Sequence, residues 1–241
     1  MKTANHISFF RIEILLLFFL FIGSSHAQNN VVTAGFHYKP IFSSSLFKTG
    51  SQSVVKNNIN ITVKPMYGYC AGMIIRRGLT DVLSVETGIN FVKRNYRLGI
   101  ADTTFKGESE FGILGYEVPV SGLVFIRLGN QLFMDASFGA SMDIFPSDIY
   151  THDSYFKNYS VRRSWLLISL IANIGYEYRT AKIGYFYLGA SFHRPFNSIY
   201  NSKVEYLSNN KEEIKLSGNY LTIDFRYFFH EDPLKFKKKK K

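Results

Sequence analysis

From Leu132 to Phe145 the chain reads LFMDASFGASMDIF, and its apolar and polar positions alternate. Leu132, Met134, Ala136, Phe138, Ala140, Met142 and Ile144 are apolar, and between them stand Phe133, Asp135, Ser137, Gly139, Ser141 and Asp143. A period of two places successive side chains on opposite faces of an extended strand. One face is oily and the other carries two carboxylates.

The same period predicts strands over Val31–Phe42, Ile61–Arg77, Val82–Tyr96, Gly115–Leu128, Leu132–Phe145, Ser164–Tyr178, Ile183–Pro195 and Asn219–Phe229. The spacing between them is as informative as the strands. GLTD (78–81), GNQ (129–131) and RTAK (179–182) are tight turns. Between the turns lie long polar segments, 43–60, 97–114, 146–163 and 196–218, which read as loops rich in Asn, Ser and Lys. Short and long connections alternate strictly, so turns gather at one end and loops at the other. The predicted fold is all-β, an eight-stranded antiparallel up-and-down transmembrane β-barrel, with turns on the periplasmic side and loops outside the cell.

The faces support that reading. Leu221, Ile223, Phe225, Tyr227 and Phe229 oppose Thr222, Asp224, Arg226 and Phe228, while Val118, Val120, Val124 and Ile126 oppose Glu117, Ser121 and Arg127. An apolar outer face asks for hydrocarbon, and the acids ask for partners in a closed interior. Strands cross lipid only where no backbone edge is left open. Leu167 and Ile171 must then pack inward. Tyr67, Tyr69, Tyr116, Tyr176, Tyr178 and Tyr227 fall toward strand ends, where interfacial aromatic girdles sit. The competing fold is a soluble lipocalin-like ligand-binding barrel, whose inner face is apolar; inward Asp, Glu, Arg, Gly and Ser make a poor calyx.

The N-terminus reads as an export signal over 1–27. Lys2 and Arg11 precede the apolar run Ile14–Ile22, and Ser25-His26-Ala27 is a small-x-small cleavage site. That run is too short for a spanning helix, which needs about 20 residues. The division is therefore a signal peptide, a barrel over 28–229 and a basic tail over 230–241. A single cysteine, Cys70, excludes an intrachain disulfide framework. The formal charge is +11, but Lys235 and Lys237–Lys241 concentrate it in the tail. Without interleaved basic and aromatic motifs in an exported chain, no nucleic-acid binding is expected.

By strand position, Arg76, Glu86, Arg127, Asp135, Glu177, Asp224 and Arg226 form a luminal charge cluster, nearly balanced in sign. Eight strands leave room only for side chains inside, so these groups must pair and plug the lumen. The alternative is a narrow conduction path. Ser191 and His193 share a face, yet positions two apart stand roughly 7 Å apart, beyond direct nucleophile–base contact. HExxH, CxxC, glycine-rich phosphate loops and EF-hand patterns are absent from the sequence. No catalytic residue, metal or cofactor is expected.

LSVETGINFVKRNY, GYEVPVSGLVFI with its Tyr-x-x-Pro entry, and the closing YLTIDFRYFF resemble the PorT-like outer-membrane β-barrel proteins over Val31 to Phe229. The resemblance implies a small outer-membrane barrel. One departure is the continuation HEDPLKFKKKKK past Phe229, where such barrels commonly end. The expected role is non-enzymatic, structural or surface-binding through the segments 43–60, 97–114, 146–163 and 196–218. A small-solute channel, or a component of a secretion or assembly complex, is the alternative. The expected partners are outer-membrane lipid and a protein or surface ligand, with the barrel a monomer.

Overall fold

The computed structural model describes residues 31–230 apart from 45, 57, 153–155 and 207–209. The signal segment 1–27 and the tail beyond His230 lie outside the described residues. Fourteen strands follow in order: β1 (Val32–Phe42), β2 (Gln52–Lys56), β3 (Ile59–Pro65), β4 (Gly68–Gly78), β5 (Leu83–Ala101), β6 (Lys106–Arg127) and β7 (Leu132–Ile144). Then come β8 (Ile149–His152), β9 (Phe156–Arg162), β10 (Leu166–Arg179), β11 (Gly184–Pro195), β12 (Tyr200–Tyr206), β13 (Asn210–Leu216) and β14 (Tyr220–Phe229). No helix among the described residues is long and apolar enough to cross a membrane.

Eight of these strands close a ring, β1–β4–β5–β6–β7–β10–β11–β14 and back to β1, every pair antiparallel. Closure leaves no edge in the barrel wall. Phe36, Met73, Ile89, Val120, Phe138, Ile174, Leu188 and Phe225 point outward and are exposed, whereas Asp135, Glu177, Asp224 and Arg226 point inward and are buried. Leu167 and Ile171 turn inward, as the barrel reading requires. The inner face is polar and the outer one oily, the reverse of a lipocalin-type calyx.

The polarity of the two faces exchanges partway along the long strands. On β5 the inner positions run Ser84, Glu86, Gly88 and Asn90, then Val92, Arg94, Tyr96, Leu98 and Ile100. Its outer positions run Leu83, Val85, Ile89 and Phe91, then Lys93, Asn95 and Arg97. A strand keeps its parity, so the exchange reports a change of solvent outside it: hydrocarbon below, water above. The outward apolar stretch of β6 from Tyr116, in register with Phe91, to Ile126 rises roughly 23 Å at about 3.3 Å per residue and a tilt near 45°. That matches the apolar band of a spanning barrel.

Above the exchange the structure departs from the sequence expectation. The segments 97–114, 146–163 and 196–218, read as polar loops, are largely strand, and 43–60 carries β2 and the start of β3. The upper halves of β5 and β6 join β3 and β2 in one sheet extension, and β13-β12-β9-β8 form a second sheet. Their facing sides bury Ile61, Val63, Leu98, Ile100, Ile113, Phe156, Val204, Tyr206, Ile214 and Leu216 in a single apolar core. Water on the outer faces and oil between the sheets is the arrangement of a soluble sandwich. The predicted second strand, Ile61–Arg77, is likewise two, β3 in the outer sheet and β4 in the barrel, broken at Met66-Tyr67.

At the tip, Asp102 ties the two sheets together. Its carboxylate accepts the backbone N–H of Thr104 (2.7 Å) and of Phe105 (2.6 Å), and the Tyr206 hydroxyl donates to it at 2.8 Å. These donors, the Thr104 N–H foremost, lower its pKa to about 2. A group depressed in the folded state adds stability above its unfolded pKa, near 4, and loses it as pH falls through the folded value. Amide exchange at Thr104 and Phe105 is therefore expected to quicken, relative to the barrel strands, as pH falls from about 4 toward 2. Asp102→Asn should show the faster exchange already at neutral pH. Indifference of the tip to both changes would show that Asp102 does not hold it.

Candidate functional site in the barrel lumen

Alternation along each strand delivers side chains to the lumen, and cross-strand register decides which of them meet. In the half nearer the tight turns, Arg76 on β4 is the hub. It donates to Glu177 on β10 and contacts Glu86 on β5 at 3.2 Å. Glu177 also takes Arg179 at 2.6 Å. Arg226 bridges Glu86 and Asp224, each at 2.8 Å, and Lys39 reaches Asp224 at 3.4 Å. Asp224 further accepts Ser191 (2.6 Å) and Asn173 (3.1 Å). Aromatic faces cover the guanidiniums: Phe228 lies 4.0 Å from Arg76, Phe133 4.1 Å from Arg179 and Tyr187 4.5 Å from Arg226. Stacked, ion-paired arginine suits a narrow dry interior.

A second network lies toward the outer sheets. Glu117 on β6 accepts Arg94 (3.1 Å) and the Tyr220 hydroxyl (2.9 Å), and Arg94 also donates to the Gly218 carbonyl at 3.2 Å. His193 stacks on Tyr220 with ring centres 4.5 Å apart, and its Nε2 meets Asp143 Oδ2 at 2.9 Å. Ser141 and Ser169 donate to the same Asp143 carboxylate. Between the networks is a cavity of about 30 Å³, room for one or two waters. Its lining includes His37 and Asn90, whose Nδ1 and Oδ1 have no protein partner.

Six of the seven residues expected in the cluster face the lumen: Arg76, Glu86, Asp135, Glu177, Asp224 and Arg226. Arg127 does not. It keeps the luminal parity of β6 but stands at that strand's end, exposed, with Nε donating to the Gly129 carbonyl at 3.1 Å. Asp135 is fully buried without a hydrogen bond to either oxygen, in the field of Arg76 and Arg226. The sequence reading missed Lys39, Arg94, Asp143 and Arg179 as cluster members. Arg94, Asp143 and Arg179 share strand and parity with Glu86, Asp135 and Glu177, which is the signal that finds them; β1, which carries Lys39, held no residue already placed inside.

Glu117, Asp143 and His193 present donor atoms within 4.8 Å of one another, a spacing that suits a metal ion. Their atoms are already engaged by Arg94, Tyr220, Ser141 and Ser169, and a cation there would meet the Arg94 guanidinium. As built, the group is a satisfied hydrogen-bond relay. Ser191 and His193 do not assemble into a nucleophile–base pair, because Ser191 donates to Asp224 while His193 turns to Asp143.

No protein-family model matches the chain, and no curated protein sequence matches it. Among solved structures, the outer membrane protein OprG from Pseudomonas aeruginosa aligns over 85% of this chain and 98% of its own, with a TM-score of 0.54 at 11% identity. The outer membrane protease OmpT from Escherichia coli aligns over 86% of this chain and 96% of its own, with a TM-score of 0.33 at 11% identity. The OprG likeness, with the closed ring and the oily outer face, defines the class. The chain has the fold of an outer-membrane β-barrel.

Proposed function

We propose that this chain is a PorT-like, monomeric outer-membrane barrel that catalyses no reaction and acts through its outer sheets, as a structural or surface-binding protein. The observation that carries the reading is the state of its interior. Ion pairs cross the lumen from β4 to β10 and from β14 to β5. Above them come the network of Glu117, Arg94, Asp143 and His193 and then the apolar core between the outer sheets, with Tyr96, Phe111 and Phe145 among its members. A solute would have to break several buried ion pairs and then cross oil. The outer sheets instead offer wide solvated faces, and loop-borne or rim-borne surfaces on a rigid scaffold are where binding concentrates.

Two measurements test this. Purified protein in a planar bilayer should show no single-channel conductance; regular conductance steps would favour the solute channel. In a Cys70→Ala background, Thr103→Cys at the outer tip should react with a membrane-impermeant thiol reagent on intact cells, and Asn130→Cys in the second tight turn only after the outer membrane is breached. Labelling of Asn130→Cys alone on intact cells would invert the topology.

A further inference from the structure

The outer rim of the barrel carries an unusual turn. Phe47 and Lys48, neither of them glycine, have left-handed φ values of 60° and 56°, a conformation that side chains with a Cβ disfavour. The turn is held on both sides: the Thr49 hydroxyl bonds the Ser44 carbonyl at 2.8 Å, and Asn219 Nδ2 donates to the Phe47 carbonyl at 3.1 Å. The result is an exposed Phe47 ring laid on Phe192 of the outer wall, centres 4.9 Å apart, with exposed Lys48 beside it.

Phe192, Arg194 and Phe196 follow one another on the outward face at the end of β11, so exposed Arg194 stands between two rings. Register carries β11 past Tyr220 toward Asn219, the residue that pins the turn. On the other side, exposed Arg163 reaches Ser198 at 3.5 Å, two residues beyond Phe196. Among the described residues no ion pair involves Lys48, Arg163 or Arg194. The opposite wall differs: Lys64 lies in register with Arg97, which pairs with Glu110 at 2.7 Å and Glu108 at 3.7 Å. Arg97 is thus matched with acids on that wall, whereas Lys48, Arg163 and Arg194 stand without an acid partner among the described residues, above an aromatic floor at the polarity exchange.

We propose that Lys48, Arg163 and Arg194, over the rings of Phe47, Phe192 and Phe196, bind a phosphorylated glycolipid of the outer leaflet. The phosphate meets the cations by charge-assisted hydrogen bonds, with the guanidiniums suited to two-point contact. The acyl chains lie along the aromatic wall below. This site rests on the outer-membrane reading and goes beyond it by naming one lipid class and one side of the barrel.

The test is native mass spectrometry of detergent-purified protein with lipid A as the probe, in phosphorylated and dephosphorylated forms. Wild type should retain one phosphorylated lipid A. Arg163→Gln/Arg194→Gln, which removes two of the three cations, should retain it at least about tenfold more weakly. Lys64→Gln/Lys93→Gln, an equal loss of charge on the opposite wall, should bind as wild type does. Equal weakening by the two double variants, or retention indifferent to the phosphate, overturns the proposal. Heat-modifiable gel mobility reports folding of each variant. A wild-type chain lacking that mobility shift would overturn the membrane reading itself, and the lipid site with it.

Discussion

Phe138→Arg is expected to destabilise the barrel by about 2–4 kcal/mol, the cost of a guanidinium facing lipid near the bilayer midplane. Phe138 is 63% exposed on the outer face of β7, opposite Gly122 on β6 and Ala172 on β10. It stands between Leu132 and Ile144, midway along the strand. In water such exposure of a large ring would be a liability, and Arg would relieve it. In hydrocarbon the order reverses. Phe138→Leu, which keeps the face apolar, should cost less than about 1 kcal/mol. Reversible urea unfolding of protein folded into lipid vesicles reads both. A neutral or stabilising Phe138→Arg would mean that the outer face is wet and the ring of strands is no membrane barrel.

The barrel was legible in the sequence because each spanning strand sits between two constant media. Leu221 to Tyr227 alternates without a break, and the tight turns at 78–81, 129–131 and 179–182 fall where the structure reverses direction. The outer sheets were not legible by the same rule. Where water replaces lipid outside, outward positions become charged, such as Lys106, Glu108 and Glu110 in 97–114 and Lys203, Glu213 and Lys215 in 196–218. The alternate apolar positions that form the core, such as Leu98 and Ile100 or Ile214 and Leu216, then look incidental within polar surroundings. Period two persists through the exchange on β5; only the identity of the oily face changes. Reading for periodicity without demanding one fixed apolar face would have extended the strands outward.

The lumen divides in the same way. Parity alone places Arg76, Glu86, Glu177, Asp224 and Arg226 inside, because parity is local. Which of them touch depends on register between strands far apart in sequence, such as Arg76 with Glu177. Arg127 shows the limit of parity: it has the right phase, but its strand ends there and the side chain returns to the Gly129 carbonyl. The relay of Glu117, Asp143 and His193 joins β6, β7 and β11, and no spacing within one strand announces it.

Arg76→Met is expected to cost about 3–5 kcal/mol, the range for removing one partner from a buried ion pair and leaving the other charge uncompensated. Arg76 is 4% exposed, holds Glu177 and Glu86 together, and lies 4.0 Å from the Phe228 ring centre. Glu177 keeps Arg179 and Glu86 keeps Arg226, yet the inner half of the lumen then holds Glu86, Asp135, Glu177 and Asp224 against Lys39, Arg179 and Arg226. Asp135 already lacks a hydrogen bond, and the substitution also removes one of the two guanidiniums in whose field it lies. Arg127→Met, at the exposed end of β6, should change stability by no more than about 0.5 kcal/mol. The double change Arg76→Met/Glu177→Gln removes the excess charge and should recover at least half of the single variant's loss, since an uncharged replacement of a buried pair is often close to neutral. The same vesicle unfolding measurement reads all three. If Arg76→Met and Arg127→Met prove equally mild, the lumen is hydrated enough to screen these charges, and an aqueous path through it replaces the plug.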